Sequence, residues 1–318
     1  MSATPPEFVL DPFHPGEIAA QERTGGRLRR APIRSFMPDQ HRQFFSRLPF
    51  LPIGAADSSG HPVATILAGE PGFISTPDST TIRIEARLRD GDPATRSFRP
   101  GAQVGLLGID LATRRRNRAS GEISGIDDRS ITVAVRHSFG NCPQYIQVRE
   151  LKPRAAGAPP HAGAEILSGL DQTALELIKA ADTFFVASTS GTPGAVGGGV
   201  DISHRGGRPG FVRVDGASLT IPDFHGNRHF NTLGNFVLDP RAALLFVDFV
   251  RGDLLHLRGR AEVAWDGAEH LRFTGAERLW RFHVQGGWRI SGALPYQWTP
   301  HGTAPESNRT GQWNTTEA

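Results

Sequence analysis

The chain is 318 residues long and has a single cysteine, Cys142, so it can form neither an internal disulfide nor a thiolate metal cluster. No apolar run reaches the roughly eighteen residues that a membrane-spanning helix needs. The N-terminus is polar and proline-containing, without the apolar stretch of a signal peptide. These absences predict a cytoplasmic protein with no membrane partner. An excess of one charge is missing too. Lys plus Arg number 35 against 32 Asp plus Glu, a net +3 that is too small to make the whole surface attract nucleic acid. Any preference for anions has to be local. Neither a glycine-rich dinucleotide fingerprint nor a Ser-His-Asp or paired-carboxylate constellation is evident, so no catalytic residue is assigned.

The chain does contain many short β segments. Residues 1–34 hold Pro5, Pro6, Pro12, Pro15, Gly25, Gly26 and five arginines without a hydrophobic period, and they read as an N-terminal arm that wraps a surface or is partly mobile. A helix fits Pro38 to Leu48. Strands then fit Phe50 to Ala55, Val63 to Leu67, Thr81 to Ala86, Val104 to Leu111, Ala119 to Ile126 and Ile131 to Arg136, separated by Gly, Pro, Asp and Ser clusters. A linker covers 151–164, and a second helix with Asp171 as its N-cap fits Asp171 to Ala181. From Thr299 the chain is polar and aperiodic, which predicts a loose tail over 299–318.

The two halves repeat. Pro71-Gly72-Phe73 recurs as Pro209-Gly210-Phe211, an offset of 138 residues (209 minus 71). At the same offset Leu106-Leu107 meets Leu244-Leu245, Asp110 meets Asp248, Gly121 meets Gly259, and Gln147 meets Gln285. The expected organisation is therefore two copies of one β-rich unit, at 35–150 and 165–298, mainly β with flanking helices. Each copy closes into a barrel that hides its strand edges.

Polar groups able to hold an anion concentrate in the second copy. Arg213 interrupts the apolar Gly-Phe-Val-Arg-Val strand. Asn227, Arg228, His229, Asn231, Thr232 and Asn235 crowd between Gly226 and Gly234. Forked guanidinium and amide donors with a hydroxyl beside flexible glycine suit a phosphate, although a polar surface loop has a similar composition.

Residues 184–263 resemble the FMN-binding split barrel of the pyridoxamine 5'-phosphate oxidase superfamily. The resemblance rests on the Gly-Phe-Val-Arg-Val strand, the Leu-Thr-Ile strand, the basic polar loop, Asp239-Pro240-Arg241, and the Leu244 to Phe249 and Leu257 to Glu262 strands. It implies tandem FMN-binding split β-barrels, FMN as cofactor, a homodimer, and a small-molecule substrate or electron donor. It assigns the phosphate to Arg213, Asn227, Arg228 and Thr232, with Asn231 as an alternative in the same loop, and places Trp280 along the cofactor. In the first copy Ser75 stands where Arg213 stands, so that copy is expected to be degenerate and to furnish a cleft wall.

In the first copy Thr113-Arg114-Arg115-Arg116-Asn117-Arg118 reads either as a solvated hairpin or as an anion contact, with Asn117 and Arg118 the preferred contacts. Cys142 has no paired base and is not expected to be a nucleophile. His204, His225 and His229 match no metal-ligand spacing, so no metal is expected. The activity implied is an FMN-dependent oxidoreductase moving two electrons between NAD(P)H or another reductant and a small acceptor. A flavin- or haem-binding protein without turnover is the alternative. Pyridoxamine 5'-phosphate oxidation itself is disfavoured, because the family's Arg-rich C-terminal signature is absent.

Overall fold

A computed structural model describes residues 8–86, 88–154, 163–191 and 198–313, and the centre of the expected linker, 155–162, lies outside them. Near the N-terminus the chain forms α1 (Pro15–Arg23). There His14 Nδ1 accepts from the Gly16 N–H and the Glu17 carboxylate accepts from the His14 N–H, a reciprocal cap with Pro15 in the first turn. α2 (Asp39–Phe45) follows Pro38.

The first copy's strands are β1 (Phe50–Ala56), β2 (Pro62–Ala68), β3 (Ile74–Ser75), β4 (Thr81–Ile84), β5 (Gln103–Asp110), β6 (Arg115–Ile126) and β7 (Ile131–Asn141). After β8 (Val148–Pro153) and β9 (Glu165–Leu167) comes α3 (Gln172–Ala180), whose first turn is capped by Asp171 through a 2.8 Å bond from the Ala174 N–H. The second copy has β10 (Thr183–Thr189), β11 (Val200–Gly206), β12 (Arg213–Asp215), β13 (Ser218–Phe224), α4 (Asn231–Leu238), β14 (Arg241–Asp248), β15 (Asp253–Ala264) and β16 (Ala276–Ile290). β17 (Tyr296–Gly302) pairs with β8.

The protein is mainly β, and its two large sheets have the same strand order. The first runs β2-β1-β5-β6-β7-β4-β3. The second runs β11-β10-β14-β15-β16-β13-β12, with β9 added beside β16. The short 3-10 turn Pro93–Ser97 and α4 occupy the same place in the two copies, their starts again 138 apart (231 minus 93). A physical reason for one repeated glycine is visible. The pairing register slips at Ser120/Gly121 in one sheet and at Arg258/Gly259 in the other. A Cβ on Gly121 would sit 2.0 Å from the Ala134 carbonyl oxygen, and one on Gly259 would sit 2.2 Å from that of His283. Only glycine allows the bend there.

The sheets pack reciprocally, β2 against β14 and β11 against β5. His61 Nε2 meets the Ala242 carbonyl at 3.1 Å, and His256 Nδ1 meets that of Ala64 at 2.8 Å. One apolar cluster runs across the junction, joining Ile53, Leu106 and Ile109 to Phe185, Ile202 and Leu245, while a second fills the other barrel around Phe184, Phe246 and Trp280. Each fully buried Leu, Ile or Phe contributes about 2 kcal/mol, so the shared cluster holds the two halves together.

Two terminal expectations change. The arm is not a plain surface wrap, because α1 packs on α4 of the second half while Phe13, Ala31 and Ile33 pack on Phe139 of the first. The segment after Thr299 is not a loose tail over its described length. It continues β17, buries Ser307, and packs Trp313 against Phe273 at 4.9 Å between ring centroids.

Candidate functional site

A cleft opens between the two halves. One wall comes from β6, the end of β7 and the segment after it: Arg116, Arg118, Asn141, Cys142, Gln144 and Tyr145. The other is built by β11, the end of β13, the 225–230 loop, the first turn of α4 and the start of β16. Its water-accessible room is about 130 Å³. That is less than the ~300–1,000 Å³ of most ligand pockets, so the closed part has room for a small group and not for the whole of a larger molecule.

Five guanidinium groups line it, those of Arg116, Arg118, Arg205, Arg228 and Arg278, against two carboxylates, Asp223 and Glu277. The carboxylates are already engaged. Asp223 pairs with Arg205 at 2.6 Å and with Arg278, and Glu277 pairs with Arg278 at 3.0 Å. Arg118 donates to Asn231 Oδ1 at 2.9 Å and to Ser203 Oγ, with Asp201 at 3.7 Å. Burial pulls the Arg118 guanidinium down to about 10, with Asp201 acting against the shift, so it stays charged at neutral pH.

Arg116 differs. Among the described residues it has no carboxylate within ion-pair distance, and its partners are the Cys142 carbonyl at 2.8 Å, Cys142 Sγ at 3.6 Å and His204 Nδ1 at 3.2 Å. Burial first, then Arg116, Arg149 and Arg205, drive His204 well below its ordinary value, so its ring is neutral. With Nδ1 accepting from Arg116, the ring proton sits on Nε2. That atom is buried without a partner, as are Arg118 Nε, Arg205 Nε and Asn141 Nδ2. All four are donors, and donors gathered around one cleft with no protein acceptor call for an acceptor-rich ligand.

α4 adds to this. Its N-cap is Phe230, in the left-handed region at φ 59°, which offers no side-chain cap. Phe230 to Leu233 line the cleft, so the positive end of the helix faces it. At the mouth, the Tyr145 ring stacks on Phe224 at 5.0 Å, its hydroxyl donates to the His225 carbonyl at 3.2 Å, and Asn227 Nδ2 reaches Asn141 Oδ1 at 3.2 Å. The two halves thus meet across the opening.

Of the residues singled out from sequence, the fold gathers Arg118, Asn227, Arg228, Asn231 and Thr232 around this cleft. Arg228 turns partly away, donating to the Thr24 and Gly26 carbonyls of the arm at 3.1 Å each. Arg213 is elsewhere. It pairs with Glu269 at 3.3 Å and lies 4.4 Å over the Trp313 ring. Asn117 occupies the opposite face of β6 from Arg116 and Arg118, buried near Gly140. Trp280 is wholly buried against Phe184 and Phe236 and supports Arg205 from behind, the guanidinium 5.9 Å over its ring. His229 is held between Phe13 and Phe139, and burial pushes it down to about 4. Sequence reasoning names Arg116 only within the Thr113–Arg118 run, preferring Asn117 and Arg118 there, and misses Arg205 and Arg278. Among the described residues no three His, Cys, Asp or Glu side chains come together in metal-binding geometry.

The repeat relates this cleft to a second one, lined by Thr65, Arg89, Asp92 and Thr95. There Thr65 stands for Ser203, His256 for Arg118 and Asp92 for Phe230, each 138 residues apart (203 minus 65, 256 minus 118, 230 minus 92). Asp92 is buried and accepts from Thr65 Oγ1 at 2.7 Å, the Ala94 N–H at 3.0 Å and Trp288 Nε1 at 3.2 Å, with Arg89 at 3.6 Å. The second cleft therefore carries a buried, capped and paired carboxylate at the position where the first has Phe230.

No family model matches the sequence, and no curated protein matches it. Among solved structures, HupZ of group A Streptococcus shares 17% identity over 42% of this chain and 98% of its own, at a TM-score of 0.29. A FAD-binding protein of Mesorhizobium loti shares 11% over 40% and 97%, at 0.27. A candidate pyridoxamine 5'-phosphate oxidase of Corynebacterium glutamicum shares 16% over 40% and 97%, at 0.28. These are similarities to part of the chain, and the cleft's chemistry is read from its own residues.

Proposed function

We propose that the cleft between the halves holds the phosphate of FMN, and that the protein is an FMN-dependent oxidoreductase passing two electrons between NAD(P)H or another reductant and a small acceptor. The observation that carries this reading is Arg116, a half-buried guanidinium without a carboxylate, lining the same cleft as a helix start without a cap. The donor set fits a phosphate. Arg116, Arg205, Arg228 and the first turn of α4 would hold it, with Asn227, Asn231 and Thr232 beside them and Arg118 fixing β6 against α4. FMN, when bound, supplies the redox chemistry. The chain's own residues bind and shield. His204 keeps its proton on Nε2, and the Tyr145–Phe224 pair gives an apolar wall that keeps water from one side of the mouth. Both walls belong to one chain, and Asp92 closes the related cleft, so the expected stoichiometry is one cofactor per chain.

The test is reconstitution with FMN followed by titration of Arg116→Met. Loss of one charge-assisted contact is expected to weaken FMN retention roughly tenfold or more. Unchanged affinity in that variant would sink the assignment. A second reading, cofactor binding without turnover, is favoured for haem by one observation. His225 lines the mouth with Nδ1 bonded to Glu277 at 2.8 Å, the kind of orienting contact that axial histidines use. The visible spectrum separates flavin from haem, and bleaching by NADPH or NADH separates an enzyme from a store.

A further inference from the structure

A roomier cavity than that cleft lies outside it, on the far side of β6. Its volume is about 580 Å³, within the ~300–1,000 Å³ range of small-molecule pockets. α2 gives Phe44 and the chain just after it Leu48, β5 gives Ile109, the β5–β6 turn gives Leu111, and β8 and β17 give Leu151 and Trp298. Phe50 also lines it and meets Trp298 edge-on at 5.3 Å, so much of the wall is apolar and aromatic.

Three cations face this apolar space. Arg47 stands at the rim, and Arg115 lies 4.6 Å over the Phe44 ring with Nη2 donating to the Gln40 carbonyl at 3.1 Å. Arg149 is the inner one, its side chain 7% exposed. One nitrogen, Nη2, bonds Asp182 at 2.5 Å, and the guanidinium lies 4.2 Å over the Phe249 ring. Its Nε and Nη1 are buried with no acceptor. Leaving buried donors unmade costs about 1–3 kcal/mol, which an acceptor brought by a ligand would recover. The lining holds a single acid, Asp110, and it is already tied to the Ala112 N–H at 2.9 Å and Thr113 Oγ1 at 2.6 Å.

We propose that this cavity is a second ligand site, taking a small amphipathic carboxylate whose apolar body lies among Phe44, Leu48, Leu111 and Trp298 and whose carboxylate pairs with Arg149. The inference is independent of the cofactor reading, because the two sites share no lining residue. An apolar body without a charge would leave the guanidinium donors unpaired, and a simple phosphate would leave the aromatic wall bare.

The experiment uses the full chain and two probes of equal length, decanoate and decanol, followed by calorimetry and by tryptophan fluorescence, since Trp298 lines the cavity. Decanoate is expected to bind at least roughly tenfold more tightly than decanol. Equal affinities would overturn carboxylate recognition, and no binding of either would overturn the site. Arg149→Met is expected to abolish the difference between the probes. Because that change also breaks the Asp182 pair, a second variant, Leu151→Trp, fills the cavity with Arg149 intact. It is expected to lose decanoate binding while keeping the wild-type melting temperature and FMN affinity. Decanoate bound with wild-type affinity by Leu151→Trp would refute the location.

Discussion

Glu17 sits buried under α4, its carboxylate accepting from Asn231 Nδ2 and from the His14 N–H. Burial, and then Asp201, raise its pKa well above the ordinary carboxylate value, against the pull of these bonds. A carboxyl with a raised folded pKa keeps its proton longer folded than unfolded. The stability it contributes is therefore full below the unfolded value and is lost as pH rises toward the folded one. Glu17→Gln, neutral throughout, should gain on the wild type as pH rises through that window and match it at low pH. Melting curves of both proteins over an acid-to-neutral series would show this, and a constant gap would refute it. At this scale the sequence was partly legible. The polar loop from Asn227 to Thr232 stands out because its donors are dense in sequence, and the fold brings Asn227, Arg228, Asn231 and Thr232 to one cleft. Arg116 was passed over although strand geometry favours it: alternate residues share a face, so Arg116 accompanies Arg118 and Asn117 turns away. Arg205 and Arg278 belong to different strands, and only the fold brings them together.

Two helices meet where they could not be foreseen. α1 has a histidine N-cap and few apolar residues, and α4 lies in a segment that reads as a glycine-flanked polar loop. They pack through Gly16 and Gly234. A Cβ on Gly16 would lie 2.2 Å from the Gly234 carbonyl oxygen, and one on Gly234 would lie 2.6 Å from Glu17 Cα. Replacing a mid-helix glycine by alanine normally gains up to about 1 kcal/mol, but here the neighbour is backbone and cannot move aside. Gly234→Ala is therefore expected to destabilise by about 1–3 kcal/mol, the range of forced overpacking. It should also loosen α1, with proteolysis appearing first between Arg23 and Arg30, where the Arg228 contacts to Thr24 and Gly26 hold the arm. Wild-type protease resistance at that segment would show that α1 docks by other means.

Across the whole molecule, the repeated motifs fall at equivalent places in two sheets of one strand order, because glycine bulges and apolar strand centres are local constraints that sequence records directly. The pairing of the sheets and the shared core between them depend on contacts far apart in the chain, and their buried histidines were not identifiable in advance. His256, stacked on Trp288 at 4.5 Å, is pushed by burial to about 4, as are His41 and His229, and burial also drives His204 well below its ordinary value. The sign is opposite to that of Glu17. Each ring is neutral when folded and takes up a proton when unfolded below its ordinary value of 6.5, so stability is lost as pH falls from there toward about 4. Each histidine contributes on the order of 1–3 kcal/mol to that loss, and reprotonation of Glu17 offsets only part of it. Measured in the Glu17→Gln background, the melting temperature should drop steeply over this interval, with net proton uptake on unfolding. His256 lies where the two sheets join, so the halves should separate cooperatively with unfolding. A melting temperature flat through the same interval would mean that these rings can protonate inside the folded protein.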